Sequence, residues 1–571
     1  MDVSFDQPLS ETLERKALWL LIVSLMLAMF VSGLNQSLVA TATPKMLADL
    51  GGFGLLSWVF TIYLLSSTVV APLVGKLSDM YGRKLFLLSG LMIFVVASTG
   101  CGAAVNMPML VFFRGLQGLG GGMIMACVMA SLGDLFSPAE RGKYMGFFTG
   151  AMAIAGLSGP SIGGLVTDLI SWRATFYVNV PVVMLAAGFI WFNLPTRKRG
   201  GRLREIDFFG SVLLSAGTVL LLLALTWAQK HYGWGSQETI GMLAASAVFI
   251  LLFARQEMRH PNAILPPMLF KNREFAFASL MVVLFGAASM GASQYLPTFV
   301  QTSLSASATT SGLVTTPQSI GMLITSVIGG QMVARRGKYK GQIIAGTGIA
   351  FIGTLFLQHV GVGQPTWHIS LYMVLMGFGS GLVMPTVSVV SQNAVAQQYM
   401  GVASGARQFF MQIGSVLGVT IFGVVLANSY SSTFNAELGP QTEAAVPAGL
   451  LARFDDPTLA LNQRQFGGVQ AELRQLDNGE ALLTELVAAQ REGVASAMRH
   501  IYLGASVLMV LAMLTAFGLK GLPLRRSSTA VAVPAGQTRG TSPPPGGEPI
   551  PTPTAGAIAE GAMHGRAAPG A

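Results

Sequence analysis

Arg114 lies within LVFFRGLQGLGGG, a run with no other charge. A guanidinium at mid-membrane costs about 2.5–3.5 kcal/mol on insertion scales. Such a group must face a bundle interior or a wet cavity, or be bonded to helix carbonyls; Gln117 lies in the same run. A second cluster, GKLSDMYGRK from Gly75 to Lys84, joins two apolar runs. Gly75 and Gly82 permit close helix approach and a tight turn. Asp79 can cap a helix end or pair with a cation, and Arg83 and Lys84 hold the loop at a membrane surface. A third segment, GLSGPSIGG, places Gly156, Gly159 and Gly163 three and four residues apart, with Gly164 beside them. That spacing predicts one stripe of small residues for tight helix contact, and Pro160 kinks the helix by removing a hydrogen bond.

Nothing here resembles catalytic equipment. The six histidines fall near run ends, in loops or in the tail, no HExxH or GxxxxGK[ST] sequence occurs, and the one GxSxG spacing, Gly159–Gly163, lies inside an apolar run and not at a strand-to-helix turn. Metal hydrolysis, acyl transfer and ATP-driven pumping are therefore not indicated. Cys101 and Cys127 sit in apolar runs without CxxC spacing and read as small buried hydrophobes. No bound cofactor or metal is expected.

The elements that position these residues must be membrane helices. The chain has 571 residues, 52% hydrophobic and only 11% charged, where a soluble protein carries about 25% charged. A span needs roughly 20 apolar residues, and fourteen such runs occur, near 17–39, 54–75, 85–105, 107–132, 143–167, 174–195, 207–228, 238–254, 275–300, 308–334, 342–360, 367–391, 404–430 and 497–519. With the N-terminus inside, the short inner connections hold eighteen Lys and Arg, while the outer ones hold Lys45, Arg173 and Lys230. The positive-inside rule then places both termini in the cytoplasm. It also explains the net charge of +10 without nucleic acid. The expected location is the plasma membrane, the inner membrane of a bacterium.

The division expected is a cytoplasmic N-terminus (1–16), a six-helix bundle (17–195), and basic linkers with two extra spans (196–274). A second six-helix bundle (275–520) carries an acidic outer loop (431–496), and a disordered cytoplasmic tail (521–571) follows. The loop offers a surface where an outer protein partner could dock, or is a solvated insertion.

The two bundles echo each other. GQMVARRGK places Gly330, Ala334, Gly337 and Lys338 at the spacing of Gly75, Asp79, Gly82 and Arg83, with the acid lost. GFGSGLVMP, from Gly377, is a fainter copy of the Arg114 run. Repeated halves that hold substrate between them mark transporters.

The Gly75–Lys84 loop resembles the signature loop of the major facilitator superfamily, a cytoplasmic latch that forms and breaks as two halves rock. The Arg114 run is similar to that family's fourth-span motif, whose Arg is implicated in proton transfer. Gly156–Gly164 resembles the antiporter motif of drug-exporting members, and SWRATFYVNVP resembles the turn into their sixth span. Over residues 15–520 the chain resembles the fourteen-span drug:proton antiporter branch. The resemblance implies an all-α major facilitator fold of two six-helix bundles plus two linker spans. It also implies alternating-access export driven by a proton gradient.

One position departs from that branch. In LNQSLVATATP, Asn35 stands where the branch shows an Asp, and an amide cannot titrate. No Asp or Glu occurs from Phe275 through Ala436, and Asp49, Asp79, Asp134, Asp168 and Glu238 all lie near span ends. Coupling through Asp134 or Asp168, or weak coupling, is the expectation that follows, with Arg114, Gln117 and Asn35 on the proton or substrate pathway. Without a mid-membrane acid, the substrate expected is a small hydrophobic or amphiphilic molecule, neutral, zwitterionic or anionic, and lipids are included in that class.

Overall fold

A computed structural model of the chain describes residues 9–51, 55–196, 207–228, 232–260, 263–457, 459, 463–476 and 478–521. The linker 197–206, Lys230 and the tail from 522 lie outside the described residues.

Fourteen long helices order the described chain: α1 (Arg15–Leu50), α2 (Leu56–Tyr81), α3 (Arg83–Gly102), α4 (Met107–Leu135), α5 (Pro138–Leu169), α6 (Asn179–Asn193), α7 (Phe208–Trp227), α8 (Gln237–Glu257), α9 (Arg273–Thr302), α10 (Ala308–Arg336), α11 (Lys340–Leu357), α12 (Thr366–Asn393), α13 (Met400–Glu437) and α14 (Gly479–Gly518). Their starts are set by short polar caps. Asn106 accepts from the Met109 amide, Asp207 from Gly210, Ser236 from Thr239 and Ser307 from Thr310, and Ser137 with Glu140 forms a capping box on α5. Gly82, at φ +101°, turns the chain between α2 and α3, and Gly337, at φ +65°, ends α10. These are matching positions of the repeated motif, and both need the left-handed backbone that glycine adopts freely.

Twelve helices are long and apolar enough to cross a bilayer on length and composition alone. A thirteenth is α5, when the pieces on either side of its 41° bend between Gly159 and Ser161 are taken as one span. The fourteenth, α10, has 29 residues, but its first half, ATTSGLVTTPQS, is rich in hydroxyl and amide groups. The expected fourteen spans are compatible with this set, although apolar length alone supports twelve or thirteen.

Helices α1 to α6 pack on one another, as do α9 to α14. The two groups meet along two seams, α2 with α13 and α5 with α10. The extra pair α7 and α8 pack together, and α7 lies on both α2 and α13. There Leu222 and Leu225 of α7 join Leu65 of α2 and Val416 of α13 in one apolar cluster.

The segment 431–496, expected as a loop, is largely helical. With 38 and 40 residues, α13 and α14 run to roughly 57–60 Å at 1.5 Å per residue, about twice the hydrocarbon thickness. Their excess carries the short helices Pro440–Ala445, Ala448–Phe454 and Gln463–Leu473. Phe454 stacks on Phe434, which stacks on Tyr430, and Leu450, Leu473 and Leu486 are buried beside them. Glu485 accepts from the Gly439 amide at 3.2 Å and from the Thr442 hydroxyl. Apolar residues at helical spacing therefore continue the core of the second bundle into this acidic segment. Phe454→Ala should remove about 3–5 kcal/mol of local packing, and limited proteolysis should then cut within 440–475 while the membrane helices stay protected.

Candidate functional site

The repeated glycines close the first seam. A Cβ on Gly75 of α2 would lie 2.4 Å from the Gly401 carbonyl oxygen, and one on Gly405 would lie 2.5 Å from that of Ala71. Backbone contact this close brings the Asp79 carboxylate onto the first turn of α13. The Gly401 amide donates to Asp79 Oδ1 at 3.0 Å and the Val402 amide to Oδ2 at 2.9 Å. A helix N-terminus leaves such amides without intrahelical partners and carries partial positive charge, so a carboxylate satisfies both. Arg83 pairs with Asp79, donates to Asp134 Oδ2 of α4 at 2.9 Å, and donates to Ser78 Oγ at 2.7 Å. It thus fixes the acid from its own half. Lys84 lies 5.6 Å over the Trp191 ring. Gly82 supplies only the turn.

The second seam repeats the contact without the charge. Gly330 of α10 meets Gly142 of α5, with a Cβ on Gly330 falling 2.2 Å from the Gly142 carbonyl oxygen, and Gly146 meets Ser326. Where the first copy has Asp79, this one has Ala334, and the α5 N-terminus is served by its own Ser137 and Glu140. Further bonds join the halves from mid-membrane to this same end. Ser67 and Thr68 of α2 donate to Gln412 Oε1 of α13, and Gln392 of α12 donates to the Met129 carbonyl of α4 at 2.9 Å. The halves are closed at the latch end.

Arg114, Gln117 and Asn35 come together inside the first bundle, each fully buried. Arg114 Nε donates to the Val59 carbonyl at 2.9 Å and Nη1 to Gln117 Oε1 at 2.7 Å, and the guanidinium lies 4.5 Å over the Tyr63 ring. Gln117 Nε2 donates to Ser98 Oγ at 2.6 Å and to Asn35 Oδ1 at 3.2 Å, and Asn179 Nδ2 also reaches Asn35 Oδ1, at 3.4 Å. Two donors thus converge on one oxygen of Asn35, while its Nδ2 has no hydrogen-bond partner among the described residues. The pocket treats Asn35 as an acceptor, the part a carboxylate would play. Asn35→Asp should therefore fold with a melting temperature near that of wild type. It should also raise the rate of transport driven by a given pH gradient, measured in the same vesicles.

No described carboxylate pairs with Arg114, so the network carries an uncompensated positive charge. Two further cations are buried: Arg141, which donates to the Phe136 and Gly133 carbonyls, and Arg407 of α13, which was not anticipated, is 8% exposed and makes its polar contact to Met411 Sδ at 3.8 Å. The acids considered for coupling are engaged elsewhere. Asp134 holds Arg83, Asp168 pairs with Lys45 at 2.8 Å, and Asp49 pairs with Arg173 and accepts from Trp172. The hydrogen bond from Arg173 holds the Asp49 carboxyl below its usual range. The stability it contributes is present above the ordinary carboxylate pKa and is lost as pH falls through the lowered one. Glu257 and Glu274 are buried but satisfied, Glu257 by the Ile264 and Leu265 amides and Glu274 by Tyr339 and the Lys520 amide. Glu238 is exposed in the first turn of α8.

The expected stripe of glycines on α5 divides. Gly159 and Gly163 press on Ser37, Leu38 and Thr41 of α1, each leaving a Cβ only 2.2 Å from its neighbour. Gly156 instead faces Ser319 of α10 at 3.9 Å, and Gly164 meets nothing within 4 Å. The 41° bend does not set this division, because Gly156 and Gly159 share the piece before it while Gly159 and Gly163 lie on either side and still both meet α1.

Two helical bundles joined by a charged latch, with a buried cationic network and no described metal-ligating cluster, define a membrane transporter. The chain belongs to the Major Facilitator Superfamily, whose model matches residues 25–419 and 278–536. It is 39% identical over 425 residues to the multidrug transporter protein MdtP of Bacillus subtilis (strain 168), covering 74% of this chain and 78% of that protein. It is 32% identical over 494 residues to multidrug resistance protein 3 of the same organism, covering 86% and 93%. Among solved structures, the proton:xylose symporter XylE bound to 6-bromo-6-deoxy-D-glucose aligns with a TM-score of 0.56 at 14% identity, over 89% of this chain and 98% of that one. The human organic anion transporter MFSD10 (TETRAN) aligns at 0.55 and 14% identity, over 87% and 99%. The last two likenesses concern the fold alone.

Proposed function

We propose that this protein exports hydrophobic or amphiphilic small molecules across the plasma membrane by alternating access, driven by a proton gradient. The observation that carries the reading is Asp79 seated across the seam on the first amides of α13. The bond can form only when the halves are closed at that end, so it is a contact made in one state of a rocking cycle. The Lys and Arg content of the loops supports a cytoplasmic side for that end and for both termini. The names of the Bacillus subtilis relatives support drugs among the substrates.

The substrate class follows from charge. Arg114 and Arg407 are buried without carboxylate partners, and no described span holds an unpaired acid at its middle. A positive interior disfavours cations, so neutral, zwitterionic and anionic amphiphiles are preferred. The test is a substrate screen in a host stripped of its own exporters. Protection against anionic and neutral amphiphiles is expected, and competition by a quaternary ammonium dye would contradict the charge argument.

The absence of a free mid-span acid favours a second reading, a lipid-like amphiphile exporter or transceptor with weak proton coupling. The helical cap 431–496 serves in the first reading as a rigid extension of α13 and α14, and in the second as a docking surface for an outer protein. Deleting 440–490 separates them, since only a docking role loses partner binding while keeping transport.

A further inference from the structure

The two seams differ at the end away from the latch. On the α2–α13 seam, α7 covers the gap, with Leu222 and Leu225 set against Leu65 and Val416 and the Trp227 ring 5.6 Å from that of Trp58. Among the described residues nothing comparable covers the α5–α10 seam. There the helices touch at Gly142 and Gly146 but part beyond Gly156, leaving a groove of about 550 Å³. The parting has a local cause, since α5 bends by 41° at Pro160 and α10 holds Pro317 at the same level.

The walls of the groove mix polar and apolar groups where a lipid-facing wall would be apolar. Ser161 of α5 faces Thr315, Thr316, Gln318 and Ser319 of α10. Leu165 and Leu313 form the rim and are 61% and 64% exposed. Asp168 stands at the mouth, neutralised by Lys45. These are the two helices whose composition or bend sets them apart from the other twelve. The Thr315 and Thr316 hydroxyls donate to the Gly312 carbonyl and Gln318 Nε2 donates to Ser293 Oγ, so what they offer the groove is acceptor capacity for a ligand's hydroxyls. An apolar rim around a hydrogen-bonding floor suits a molecule with a hydroxyl-rich head and one hydrocarbon tail.

We propose that the α5–α10 seam is a lateral binding site for the head of a single-chain, uncharged amphiphile in the outer leaflet, and that the fold allows it on this seam only, because α7 closes the other. The site is separate from the Arg114 network. Its leaflet rests on the orientation given above.

The test is photolabelling of the full chain in proteoliposomes with a monopalmitoylglycerol carrying a diazirine beside the glycerol. Labelling should be saturable, should fall on residues 156–168 and 312–319, and should be competed by unlabelled monopalmitoylglycerol. Gly312→Leu, at a position with nothing within 4 Å of its Cβ, should fill the groove and cut labelling about tenfold, the worth of one or two net hydrogen bonds. Gly241→Leu, an equally open position on α8, should leave labelling unchanged. Unsaturable labelling, equal labelling of α8, or full labelling of Gly312→Leu would overturn the site. Competition by glycerol alone, or equally by palmitate, would overturn the assigned ligand class. Labelling needs no transport, so its failure leaves the exporter reading standing.

Discussion

Arg114→Ala is expected to lower transport at least about tenfold, a loss of roughly 1.4 kcal/mol or more, while the protein still inserts and purifies. The side chain is fully buried, bridges α4 to the Val59 carbonyl of α2, and orients Gln117, which in turn holds Asn35. Removing it leaves Gln117 Oε1 without its donor, a cost of about 1–3 kcal/mol for a buried acceptor, and frees the Gln117 amide to turn. Arg114→Lys keeps the charge but lacks the planar fork that reaches two acceptors at once. It should restore stability more than rate. A rate equal to wild type in Arg114→Ala, measured per molecule inserted, would remove Arg114 from the pathway.

Asp79→Ala should act on the conformational equilibrium. The carboxylate makes two bonds to α13 amides, and hydrogen bonds to charged groups are each worth about 1.5–3 kcal/mol. Loss of even one such contribution shifts the balance between latched and open states about 10- to 100-fold. Spin labels at Met80 and Gln398 should then report a longer second distance that is minor in the wild type. Asp79→Asn, which keeps one acceptor oxygen, should fall between. Gly75→Leu should give the same opening by steric means, since its first carbon already collides with the Gly401 carbonyl. A distance distribution unchanged in all three variants would mean that the latch holds nothing.

The parts of this site that were legible in the sequence are those with side-chain signatures. Gly82 and Gly337 announced turns, and both have positive φ. Arg114 announced burial by its apolar surroundings. The latch's receiving side had no such signature, because Gly401 and Val402 contribute only backbone amides, and those lie more than 320 positions along the chain from Asp79. Ser98, Tyr63 and Asn179 were missed for a related reason: a lone polar residue on an apolar helix does not reveal which neighbour it faces. Arg407 sits three residues from the expected start of its span and so resembled one more charge at a membrane edge. In fact α13 begins at Met400, and the packing of α13 buries Arg407. The cap 431–496 reads as a solvated insertion because it is rich in acids, and although Tyr430 and Phe434 are helical neighbours, nothing in the sequence brings the distant Phe454 onto them.

The most direct measurement of the central claim uses everted membrane vesicles from an exporter-free host. Uptake of an anionic amphiphilic probe would be followed with and without an imposed pH gradient, acid inside. Wild-type vesicles should accumulate the probe above the level of vesicles lacking the protein, and a protonophore should return it to that level. Accumulation indifferent to the gradient, or equal in vesicles with and without the protein, would contradict gradient-driven export.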